Sequence, residues 1–198
     1  MVQPAAALYS QSEAKDILYY FDDGSWRGVS AAVMSGDREL QRIAVSYADG
    51  TCVVANGHRT KHIVGTVFGR KVDLPPCGYL VWNDAGALAI EASDRHGTRC
   101  DYSASGDAIY LDTRKSSSPV KFDRARGKGM AVCRREGEGW ELIPVRGAVA
   151  FRIDGVRARA FGEDRSDLGE TPLVRDDEGF AQVVPVPGAL SYSILPAR

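Results

Sequence analysis

Apolar and polar residues alternate every second position along much of this chain, the spacing of a half-buried β-strand, and runs with a 3.6-residue period are short. The clearest stretch is residues 148–161. Val149, Phe151 and Ile153 alternate with small or polar residues, Asp154-Gly155 follows, and Val156, Ala158 and Ala160 then alternate with Arg157 and Arg159. Asp-Gly between two alternating runs predicts a tight hairpin, because its turn residues tolerate positive φ. The same arrangement appears where Ile43, Val45 and Tyr47 lead into Asp49-Gly50 and residues 51–55 return. Residues 78–82 and 87–92 flank Asn83-Asp84-Ala85-Gly86, another hairpin signal. Arg95-His96-Gly97, Ser105-Gly106-Asp107, Glu136-Gly137-Glu138-Gly139 and Asp177-Glu178-Gly179 punctuate further strands. Turns at such short intervals point to a sandwich or barrel. Helix is expected only as a turn or two at residues 12–16 and 30–34, each opening on a serine suited to N-capping.

The polar stretch Lys115-Ser116-Ser117-Ser118-Pro119 separates two strand-rich blocks and predicts a boundary. The expected fold is therefore all-β, with two consecutive antiparallel β-sandwich-like units and minor helix. Residues 1–116 form the first unit; residues 117–198 form the second, small and immunoglobulin-like.

The chain has 198 residues, with 26 acidic residues against 25 Lys and Arg. A formal net charge of -1 lacks the basic excess of a nucleic-acid binder. The densest basic run, residues 121–135, is broken by Asp123 and reads as strand decoration. Cys52, Cys77, Cys100 and Cys133 form no C-x-x-C pair, so neither a structural zinc site nor a cofactor is expected. Three of the four sit in apolar or strand-like runs, where a thiol behaves as a small hydrophobe. Reduced thiols, and no secretory leader in residues 1–8, favour a cytoplasmic setting. Met1-Val2-Gln3-Pro4 reads as the start of a trimmed fragment. No apolar run approaches the roughly 20 residues that span a bilayer, so no membrane partner is expected.

Candidate chemistry is sparse. His58 and His62 are four apart, a metal spacing on a helix, but Asn56-Gly57 precedes them and the context reads as a turn. No G-x-S-x-G and no phosphate-binding P-loop occurs. Asp101 beside Tyr102, Asp112 near Tyr110 and Arg114, and His96 are the first suspects should the chain be an enzyme. Aromatic residues carry the main binding hypothesis, since ring faces stack on the apolar face of a pyranose. Trp26 after the Asp22-Asp23-Gly24-Ser25 turn is the best candidate, with Tyr20, Trp82 and Trp140 behind it.

The run Tyr47-Ala48-Asp49-Gly50-Thr51-x-Val53-x-x-Asn56 resembles a strand–turn–strand segment of the C-terminal β-domains of large bacterial glycoside-hydrolase-like proteins. Leu74-Pro75-Pro76-x-Gly78-Tyr79-Leu80, Arg99-x-Asp101-Tyr102-x-x-Ser105 and Tyr110-x-Asp112-Thr113-Arg114 are similar to further segments of the same proteins, in the same order. Trp140-Glu141-x-Ile143-Pro144 and Ser191-Tyr192-x-Ile194 resemble the small sandwich that ends such chains. In that family the chemistry belongs to a barrel of roughly 250 residues, whose β/α alternation this chain lacks. The resemblance thus implies a non-catalytic accessory region of a carbohydrate-active protein, which packs on an adjacent catalytic domain, binds glycan weakly, or both. Two other readings stand beside it: a stand-alone glycan hydrolase or lyase, and a structural module that self-associates as a homo-oligomer through edge strands.

Overall fold

The computed structural model describes residues 10–36, 41–83, 88–95 and 97–196. Among the described residues the chain is mostly antiparallel β-strand with one short α-helix. It divides into two compact units, residues 1–99 and 100–198. The polar stretch 115–119 lies inside the second unit, between two of its strands.

The first unit contains β1 (Ala14–Tyr20), β2 (Trp26–Gly28), α1 (Val29–Ser35), β3 (Arg42–Tyr47), β4 (Thr51–Asn56), β5 (Ile63–Val67), β6 (Arg70–Leu74), β7 (Tyr79–Asn83) and β8 (Leu88–Arg95). Its main sheet runs β8-β7-β4-β3-β1-β2, and β5–β6 form a separate hairpin. Apolar alternation decides the faces. Ile63 and Val67 of β5, with Val72 and Leu74 of β6, turn inward to meet Tyr20, Ala44, Val54, Leu80 and Trp82 of the sheet. That two-layer packing is the core of the unit, each large side chain contributing roughly 1.5–3 kcal/mol of burial. Val81, Leu88 and Ile90 are buried on the opposite face of the sheet.

The Asp49-Gly50 signal is a β3–β4 hairpin, but only Gly50 has positive φ (83°). Asp49 instead works as a cap, its carboxylate accepting from the Thr51 amide at 2.9 Å and the Thr51 hydroxyl at 2.9 Å. β7 and β8 pair as the sequence predicts, and the residues joining them lie outside the described ones. The two helix expectations part ways. Residues 30–34 fall within α1, whose N-cap is Gly28 and not Ser30. Residues 14–16 are strand: Ile17, Leu18 and Tyr19 pair with Val45, Ala44 and Ile43, and a ladder to β3 outweighs weak local propensity. Ser12 serves the neighbouring turn, its hydroxyl accepting from the Asp49 amide at 3.1 Å.

The second unit contains β9 (Thr98–Ser105), within which the boundary falls, then β10 (Ala108–Asp112), β11 (Val120–Lys121), β12 (Ala125–Glu136), β13 (Gly139–Phe151), β14 (Arg157–Phe161), β15 (Asp167–Thr171), β16 (Leu173–Arg175), β17 (Ala181–Val183) and β18 (Ser191–Leu195). Their order is β15-β14-β18-β13-β12-β10-β9, with β11 on β12 and the β16–β17 hairpin on β13. The turns at Gly106, Gly137 and Gly179 join paired strands as predicted.

The hairpin predicted over residues 148–161 does not form. β13 and β14 both pair with β18, which lies between them. Gly155 is glycine for a different reason from a turn: its φ is +146° and an added Cβ would lie 2.5 Å from Cγ2 of Ile194 on β18. The Asp-Gly pair therefore lets the chain cross an intervening strand.

Candidate functional site

The β5–β6 hairpin does not cover the sheet of the first unit completely. Where it leaves β7 and β8, a cleft of about 450 Å³ opens, within the roughly 300–1,000 Å³ range of small-molecule sites. Its apolar floor is Val72, Leu74 and Leu80, and its rim carries Thr66, Arg70, Lys71 and Asp73 from the hairpin and Glu91 and Arg95 from β8. Strand alternation sets these positions. Val72 and Leu74 face the core, while Lys71 and Asp73 between them face out.

The charges on the rim differ in how they are met. Arg95 Nη2 and Glu91 Oε1 form an ion pair at 2.6 Å, with the Glu91 side chain only 15% exposed. Asp73 is exposed and turned toward His62 Nδ1, 3.5 Å away. Arg70 lies over the ring of Trp82, 5.2 Å from its centroid. Among the described residues neither Arg70 nor Lys71 has a carboxylate partner. The cleft therefore presents two unmet cations beside an apolar floor, and the backbone of Gly65 and hydroxyl of Thr66 complete it.

The aromatic candidates form walls and core instead of open platforms. Trp82 and Trp140 are 5% and 2% exposed. Arg135 and Arg124 lie over the Trp140 ring at 4.4 and 5.6 Å. Tyr20 is buried, and its hydroxyl donates to the Val64 carbonyl at 2.7 Å. Trp26 is half-buried: it is the first residue of β2, directly opposite Tyr20, and the two rings tilt together at 4.9 Å. Gly65 faces both rings, and an added Cβ there would meet Trp26 Nε1 and Tyr20 at 3.7 Å, an ordinary van der Waals contact. The tip of the preceding turn is Gly24, at φ +82°.

Asp101 and Asp112 are brought together. They are direct partners across β9 and β10. The Asp101 side chain is buried and accepts from Arg114 Nε at 2.7 Å. Asp112 accepts from the Arg114 amide at 2.7 Å and forms an ion pair with Arg146. Arg114 is held still more firmly protonated by its bond to Asp101. Burial, then the charges of Asp112 and Asp101, push the neighbouring Tyr110 hydroxyl up. Both carboxylates thus belong to a closed chain of ion pairs. His96 lies outside the described residues.

The histidine pair is not a metal site in its geometry. His58 Nδ1 accepts from the amides of Thr60 and Lys61 at 3.1 and 3.0 Å and so closes its own loop. Among the described residues no group of three or more His, Cys, Asp or Glu is placed to hold a metal ion. All four cysteines are free thiols, and only Cys77 is exposed. Burial pushes the Cys133 thiol up to about 12. Among the described residues no helix is long and apolar enough to cross a membrane.

Sequence reasoning missed the cleft residues Arg70, Lys71, Glu91 and Arg95. Their one local signal was the charged pair Arg70-Lys71 that opens β6 directly after the Phe68-Gly69 turn. Against known proteins, the chain matches no family model, no curated protein and no solved structure.

Proposed function

We propose that this chain is a non-catalytic accessory β region of a carbohydrate-active protein and that it contacts glycan through the cleft of the first unit. One observation carries this reading: an open cleft of small-molecule size whose rim holds a ring of hydrogen-bonding side chains, suited to the hydroxyls of a sugar. Val72, Leu74 and Leu80 back the cleft from the core, and the hydroxyls of a sugar would meet Thr66, Asp73 and the arginines at its rim. The engagement of Asp101 and Asp112 by Arg114 and Arg146 speaks against the enzymatic alternative, because a glycosidase needs its carboxylates free to face a substrate.

Native affinity electrophoresis through gels cast with a panel of polysaccharides tests the proposal. The expected result is retardation by at least one polymer that Arg70→Ala abolishes and Trp26→Phe retains. Uniform migration across the panel would overturn glycan contact, and loss in Trp26→Phe alone would move the site to the aromatic pair.

A further inference from the structure

Resting on the glycan reading above, we infer that the cleft of the first unit selects an acidic saccharide, one bearing a single carboxylate or sulfate on a pyranose ring. Three cations and two carboxylates line the cleft, but they do not cancel in space. Glu91 is committed to Arg95 at 2.6 Å, and Asp73 is turned outward toward His62. Arg70 and Lys71 remain, adjacent in sequence and both on the rim. They have no carboxylate partner among the described residues.

Arg70 is the more informative of the two. The residue is half-buried and its guanidinium lies over a buried tryptophan, 5.2 Å from the ring centroid. That contact favours a position of the group beside the cleft before any ligand arrives. A planar guanidinium with unused N–H donors matches the two oxygens of a carboxylate or sulfate. Lys71, the next residue, is on the outward face of β6 with Asp73 and adds only general positive potential at the rim. A neutral sugar leaves the Arg70 guanidinium unmet in the cleft, whereas a carboxylate or sulfate on the ring meets it.

Titration of the 15N-labelled full chain with cellobiose, cellobiuronic acid and cellobiose sulfate, at low and high salt, tests this inference. The three probes share one backbone and differ only in charge. The expected result is tighter binding of one or both acidic probes, by tenfold or more over cellobiose, with shifted amides at Thr66, Arg70 and Lys71 and weakening at high salt. The better of the two acidic probes identifies the anionic group. Arg70→Ala should reduce acidic binding at least tenfold, Arg70→Lys less, and Lys15→Ala, an equal loss of charge on β1, not at all. Equal binding of cellobiose in the cleft would overturn the acidic preference and leave the glycan reading standing. Equal weakening by Lys15→Ala would reduce the effect to non-specific attraction and overturn it too. Absence of binding by all three probes and by the whole polysaccharide panel would end both.

Discussion

Glu91 in the first unit and Asp101 in the second are both carboxylates largely shielded from solvent and bound to an arginine, yet their surroundings differ. Around Asp101 the pairing continues: Arg114 also serves Asp112 through its amide, and Asp112 binds Arg146. Glu91 pairs with Arg95, and two further cations, Arg70 and Lys71, border an open cleft. A closed network of ion pairs holds strands in register, whereas an interrupted one leaves charge available to something outside the chain. Counting charged residues in the sequence cannot tell these apart, because the two clusters have similar composition.

The sharpest way to break the contrast is through the backbone that holds the closed network. Arg146 reaches Asp112 from a bulged part of β13, where Gly147 has φ +63° and an added Cβ would overlap the Lys128 carbonyl. Gly147→Val should cost about 3 kcal/mol or more in denaturant unfolding, from strain and overlap together. Asp101→Ala comes next, at about 2 kcal/mol, because it leaves Arg114 without its partner while that arginine can still reach water. A cost indistinguishable from zero would contradict a structural role for the network.

In the first unit the expected effects on stability are smaller and those on binding larger. Glu91→Gln should cost only about 0.5 kcal/mol, as for other partly exposed pairs. It should tighten binding of an acidic saccharide about threefold, since it removes a negative charge from the cleft lining; unchanged or weaker binding would count against the electrostatic account of the cleft. The smallest effect is acid sensitivity. Bonds from Lys61 and then Arg42 hold the exposed Asp22 carboxyl below its ordinary value of 3.8. Its folded pKa is depressed, so its contribution is complete above pH 3.8 and is lost as pH falls through the lower folded value. Asp22→Asn should therefore lose less stability than the parent between pH 5 and pH 2.5 in parallel urea titrations, and an equal loss would remove Asp22 as a contributor.

Much of the fold was legible in the sequence because a period of two and a glycine at a turn are local signals. The strands around Gly50, Gly106, Gly137 and Gly179 follow from them. The Asp154-Gly155 link carried the same signal and misled, because β18, which arrives about 35 residues later, inserts between β13 and β14. No window of the sequence contains that event. The segments that resemble glycoside-hydrolase-like proteins turn out to meet in pairs. Buried Asn56 directs its amide nitrogen to the carbonyls of Leu74 at 3.1 Å and Pro75 at 2.9 Å, and Asp101 binds Arg114. Gly78 is required there as well, since an added Cβ would lie 2.8 Å from the carbonyls of Pro75 and Ala92. These motif residues therefore have structural work within this chain. Tyr20, Trp82 and Trp140 are buried because a tryptophan's or tyrosine's large apolar surface is drawn into the core, while Trp26 is half-buried against Tyr20. The cleft stayed hidden because Arg70 and Glu91 come from strands 20 residues apart, and only packing of the hairpin on the sheet brings them to one rim.

The most direct test of the central contrast measures binding and stability on the same two variants. Arg70→Ala and Arg114→Ala each remove one arginine, and each would be titrated calorimetrically with cellobiuronic acid and melted thermally in the same buffer. The account predicts that Arg70→Ala loses binding with its melting temperature nearly unmoved, and that Arg114→Ala melts several degrees lower with binding unchanged. Binding that survives Arg70→Ala at full strength, or a melting temperature that Arg114→Ala leaves untouched, would contradict it.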